Sequence, residues 1–167
     1  MSNPQSIVLA GFMGTGKSTV GAILAKQLNR VFVDMDSLIE QRTTLTIPRI
    51  FEKYGEAHFR AIERGIAHEL AIFSNLIIAT GGGALLDTAS RDAFLKHTFV
   101  VCLRAAPDII EQRLQTADDR PLASQWKVLW GERQPIYDSL PTQVDTTGKQ
   151  PTNIAQEIID IWQSQSK

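Results

Sequence analysis

The chain has 167 residues, 43% of them hydrophobic and 21% charged, which is enough for one domain with a proper core and too short for two ordinary ones. A net charge of −1 leaves no global field for nucleic acid or an anionic membrane, so affinity for a polyanion has to come from a local constellation. The single cysteine, Cys102, excludes an internal disulfide, and no basic leader or long apolar window marks export or a membrane span. The expectation is a cytoplasmic protein with neither membrane nor nucleic-acid partners.

Ile7-Val8-Leu9-Ala10 is a short apolar run that reads as a buried strand and stops at a glycine. The next residues, Gly11-Phe12-Met13-Gly14-Thr15-Gly16-Lys17-Ser18, fit G-x-x-x-x-G-K-[ST], and Val20, Ile23, Leu24 and Leu28 then recur at helical spacing. Strand, glycine loop and helix in that order form a phosphate site: backbone N–H groups turn inward, and the helix presents its positive end. Lys17 is placed to reach the outer phosphates, and the Ser18 hydroxyl suits Mg²⁺. Background residue frequencies produce this pattern by chance in roughly half a percent of chains this long.

Val31-Phe32-Val33 is a second strand running into Asp34-Met35-Asp36, with a helix expected from Ser37 to Arg42. If the strand continues, Asp34 and Asp36 point to the same side, at the edge where ligands bind in parallel sheets. One carboxylate could then support Mg²⁺ and the other an acceptor hydroxyl; an ordinary strand-to-helix turn, with Asp36 or Ser37 as cap, is the alternative. Pro48 suits the first turn of a further helix. Phe59, Ile62, Ile66, Leu70 and Phe73 mark one face of a helix over 56–73. Arg60 and Glu63 on it read equally as a surface ion pair or as an arginine gripping a carboxylate with its orienting partner.

Leu76-Ile77-Ile78-Ala79 is the third strand, closed by Gly81-Gly82-Gly83, where one tight turn needs fewer glycines and close approach of backbone to a ligand explains the surplus. A helix near 90–96, a strand over 99–103 and a helix opened by Pro107 follow. Residues 115–125 are polar and aperiodic, a candidate mobile loop carrying Arg120. A short helix, a strand near 142–144 and a helix over 153–162 complete the chain. Alternation of strands and helices predicts an α/β domain, a parallel sheet covered on both faces. His58, His68 and His97 have no metal-ligand spacing, and Trp126, Trp130 and Trp162 read as packing residues.

Taken together, the loop 11–19, Asp34-Met35-Asp36, Phe59-Arg60-Ala61-Ile62-Glu63, Gly81-Gly82-Gly83, Arg120-Pro121-Leu122, Arg133 with Pro135 and Tyr137, and Val144-Asp145-Thr146 with Pro151 resemble shikimate kinase over nearly the whole chain. That resemblance implies a P-loop three-layer sandwich like that of nucleoside monophosphate kinases, with a five-stranded parallel sheet in the order 2-3-1-4-5. It implies one domain over 1–167, with substrate-binding helices at about 35–62 and a lid at about 115–125, acting as a monomer. The implied reaction is ATP-dependent phosphorylation of the 3-hydroxyl of shikimate. By the same carry-over, Lys17, Asp36 and Arg120 are catalytic. Gly14, Thr15, Gly16, Lys17, Ser18, Thr19, Arg113, Arg120 and Pro151 hold ATP, with Arg113 and Pro151 enclosing adenine. Asp36, Arg60, Gly82 and Arg133 contact shikimate, and Ser18 and Asp34 support Mg²⁺. The chain departs from the family at Ala123, where a second leucine is usual, in its short spacing from Arg120 to Arg133, and at Asp138-Ser139-Leu140-Pro141.

Two other readings stand beside this one. A kinase of the same fold could act on another hydroxy acid, such as gluconate, or on a nucleotide. A guanine-nucleotide switch would carry Asn-Lys-x-Asp, which this chain lacks, and its Asp145-Thr146-Thr147-Gly148 lies too near the C-terminus to sense a γ-phosphate.

Overall fold

The computed structural model describes residues 4–115 and 125–165. Five parallel strands form one sheet in the order β2-β3-β1-β4-β5, as expected: β1 (Ile7–Ala10), β2 (Val31–Asp34), β3 (Leu76–Ala79), β4 (Phe99–Arg104) and β5 (Gln143–Asp145). The helices described are α1 (Lys17–Leu28), α2 (Met35–Thr43), α3 (Ile47–Tyr54), α4 (Glu56–Ala71), α5 (Thr88–His97), α6 (Pro107–Gln115), α7 (Trp126–Asp138) and α8 (Pro151–Gln165). A 3₁₀ turn at Ala84–Leu86, which has no signal in the sequence, follows the triple glycine.

The central strand explains the layering. Each residue of β1 is fully buried, and alternate side chains enter opposite cores. Val8 and Ala10 join Ile78, Val100 and Cys102 beneath α4 and α5, whereas Ile7 and Leu9 join Ile77, Val101 and Leu103 beneath α1 and α8. Each buried Val, Leu or Ile among them contributes about 1.5–3 kcal/mol by leaving water. Cys102 is buried in this packing, as its apolar run predicts. Burial pushes its thiol up to about 11 against the pull of Lys17 and Arg104.

Because all strands are parallel, their carboxyl ends share one edge. Register brings Asp34 beside Ala79 and Leu9 beside both Ala79 and Val101. The turns after β1, β2 and β3 therefore meet at the point where the strand order reverses, the usual place for a ligand crevice.

The strand reading of the paired aspartates is corrected here. β2 ends at Asp34 and α2 begins at Met35, so Asp36 lies in the first helical turn and not on the strand. Asp34 is itself the cap, its Oδ1 accepting the Ser37 amide at 3.2 Å. A cap that opens the helix at once leaves no further extended residue. The helix after the polar stretch, α7, is also longer than its expected short form and holds Pro135 in its interior.

Candidate active site

The loop between β1 and α1 takes its shape from three glycines with positive φ, Gly11 (135°), Gly14 (78°) and Gly16 (94°). A side chain is strained in that region, so glycine lets the chain curl while its amides stay available. Thr15 Oγ1 donates to the Phe12 carbonyl at 2.8 Å and tightens the curl. Lys17 Nζ donates to the Gly11 and Phe12 carbonyls at 2.8 and 2.9 Å, so the ammonium rests on the loop itself. Arg113 of α6 donates to the Gly14 carbonyl at 2.7 Å, tying the helix on the far side to the loop.

Ser18, in the first turn of α1, donates to Asp34 Oδ2 at 2.6 Å. A hydroxyl and a carboxylate held together beside a phosphate loop are the hard oxygen donors that Mg²⁺ accepts, the remaining positions being left to phosphate oxygens and water.

Across the cleft, the triple glycine is a floor on which charged side chains converge. A methyl group at Gly81 would stand 2.8 Å from Glu63 Oε1 and 2.9 Å from Asp36 Oδ1. At Gly83 it would stand 2.7 and 2.8 Å from Arg60 Nη1 and Nη2, and at Gly82 it would meet Arg133 Nη1 at 3.2 Å. The sequence reading expects a ligand close to this backbone; the groups that the structure brings to it are the protein's own Asp36, Glu63, Arg60 and Arg133. Any side chain here would wedge them apart.

Arg60 donates to Glu63 Oε2 at 2.7 Å and to Glu56 at 3.2 Å. The pair is not a surface one, since Glu63 is only 4% exposed. Burial pushes the Glu63 carboxyl above its usual range, Arg60 pulls it back, and the charge of Asp36 adds to the rise. Arg133 of α7 is equally buried, its guanidinium over the Phe12 ring, and that ring packs edge-on against Trp130.

One cleft of about 690 Å³ is lined by the loop from Met13 to Val20, by Asp34 and Asp36, by Arg60 and Glu63, by the three glycines, and by Arg113, Arg133 and Pro151. Every predicted site residue among the described ones lies on it. Arg120, Ala123 and most of the expected lid lie outside the described residues. Sequence reasoning missed Thr80, Thr146 and Lys149 on the wall, as well as an apolar side formed by Ile47, Pro48, Phe51 and Phe59. Of these, Pro48 and Phe59 carry a helical signal and Phe59 and Thr146 stand in the stretches of the resemblance, but the sequence assigns none of them a role in a site. Phosphate-binding amides at one end and two arginines with an aspartate at the other suit phosphoryl transfer to a hydroxylated anion.

Comparison with known proteins gives the same outline. The shikimate kinase family model matches residues 13–163. The shikimate kinase of Thermodesulfovibrio yellowstonii is 38% identical over 165 residues, covering 95% of each chain. Among solved structures, Acinetobacter baumannii shikimate kinase in complex with shikimate superposes with TM-score 0.91 at 35% identity, covering 96% of this chain and 94% of that one. A gluconokinase from Sinorhizobium meliloti, at 16% identity and TM-score 0.57 over 98% of both chains, shares the fold alone.

Proposed function

This chain belongs to the shikimate kinase family, and we propose on that premise that it transfers the terminal phosphoryl group of ATP to the 3-hydroxyl of shikimate, a step towards chorismate and the aromatic amino acids. The observation that carries the reading is the single cleft in which the phosphate loop faces Asp36, Arg60 and Arg133 across a glycine floor.

In this reading the amides of 14–19 cradle the triphosphate, and Lys17 exchanges the Gly11 and Phe12 carbonyls for phosphate oxygens. Ser18 and Asp34 hold Mg²⁺, which when bound offsets charge on the phosphates. Arg113 and Pro151 flank the adenine. Arg60 and Arg133 fork the acceptor carboxylate, Gly82 supplies a backbone contact, and Glu63 keeps Arg60 in place. Asp36 accepts the proton of the attacking hydroxyl late, because a loose transition state asks for positioning and charge neutralisation more than for a strong base. Arg120, on the lid, closes over the phosphates. The enzyme acts as a cytoplasmic monomer.

A pair of arginines beside one aspartate matches a ring acid with vicinal hydroxyls better than an open-chain sugar acid or a second nucleotide. ADP release measured with shikimate, gluconate and nucleoside monophosphates separates these acceptors. Shikimate should support turnover at least about a hundredfold above the others, a gap of about 3 kcal/mol. Equal or greater turnover with gluconate would overturn the assignment.

A further inference from the structure

Tyr137 lies one helical turn beyond Arg133 on α7, is 4% exposed, and takes no direct part in the cleft wall. Its hydroxyl donates to the Gly82 carbonyl. Gly82 and Arg133 also meet directly, since a methyl group at Gly82 would stand 3.2 Å from Arg133 Nη1. A phenol suits this corner because its hydroxyl can donate to a carbonyl, which can only accept. Arg133 Nε is buried with no hydrogen-bond partner among the described residues, so the placing of that guanidinium depends on how α7, fastened to Gly82 through Tyr137, sits against the floor.

We propose that Tyr137 is a positioning residue for the acceptor, its hydroxyl fixing the spacing between Arg133 and the Gly82 backbone so that both meet the acceptor in register. The proposal rests on the acceptor reading above and goes beyond it in assigning a residue that touches neither substrate. A buried hydroxyl from α7 thereby ties the clamp to the floor laid by the β3 turn, across 55 residues of sequence.

The test is Tyr137→Phe, which keeps the ring and removes one oxygen. KM for shikimate should rise roughly tenfold while KM for ATP stays within about twofold. Gln143→Met is the control for lost stability alone. It removes the bonds from Gln143 Nε2 to the Tyr137 and Leu140 carbonyls, at the same end of α7, and leaves the hydroxyl in place. An unchanged shikimate KM in Tyr137→Phe, a parallel rise in ATP KM, or an equal shikimate effect in Gln143→Met overturns the proposal. Should the phenylalanine variant not fold, fluorotyrosine in the unmutated chain labels only Tyr54 and Tyr137. The Tyr137 fluorine resonance must then shift when shikimate saturates the protein, and a stationary resonance overturns the proposal. Absence of shikimate-dependent turnover in the unmutated enzyme would sink the acceptor reading itself, so the two failures are distinct.

Discussion

At the scale of single residues, the proposed function separates groups that meet phosphate from groups that meet the acceptor, and the separation can be tested. Asp36 and Arg60 lie on α2 and α4, away from the loop that Gly14 and Gly16 shape. Asp36→Asn should lower kcat by about 10²–10⁴-fold, the range for loss of a positioned proton acceptor. Arg60→Ala should raise shikimate KM at least about tenfold and leave Glu63 buried without its nearest cation. Affinity for MgADP, followed by calorimetry, should stay within about twofold in both. An equal loss of nucleotide affinity would mean that these residues serve the wrong ligand in this account. The Asp36 assignment also shows what spacing alone conceals. Two residues apart reads as one side of a strand, but Asp34 caps α2 by accepting the Ser37 amide, so Asp36 reaches the floor from a helix. Tyr137 was visible only as part of a resemblance, because its partner Gly82 is 55 residues away and no local pattern links them.

Among the elements, α5 offers a pH-dependent handle away from the cleft. Asp87 caps it, with Oδ2 accepting the amide and hydroxyl of Ser90 at 2.8 Å and Oδ1 paired to Arg64 at 2.7 Å. Partial burial works against the charge, but Arg64 and the Ser90 donors outweigh it and hold the carboxyl down at about 2. A carboxyl depressed in the folded state stabilises above its unfolded value of about 3.9 and loses that contribution as pH falls towards 2. Asp87→Ala should therefore cost about 1 kcal/mol near pH 7 in urea unfolding, the usual loss for a cap, and the gap from the unmutated protein should narrow below about pH 4. A gap independent of pH would remove the charge from the explanation. The helices and strands themselves were largely legible, because 3.6-residue periodicity and short apolar runs are local signals. The 3₁₀ turn at 84–86 and the passage of α7 through Pro135 were not, since three residues carry no period to read and an interior proline signals against a helix.

For the whole molecule, the phosphate loop identified a nucleotide fold, and alternation of elements identified a parallel sheet. The strand order came from resemblance, and the observed order β2-β3-β1-β4-β5 agrees with it. What local reading could not supply was convergence. The triple glycine makes sense only once Asp36, Glu63, Arg60 and Arg133 are seen to press on it from three helices. Those contacts join residues that are distant in sequence, and a sheet edge shared by the strands brings them together. The central claim is that this edge unites a triphosphate site with an acceptor site in one cleft. Phosphorus NMR of the enzyme with MgATP and shikimate tests it most directly. The account predicts that the γ-phosphate signal gives way to one phosphomonoester coupled to the proton at carbon 3, in step with ADP. Release of inorganic phosphate without that ester, or an ester at another hydroxyl, would contradict it.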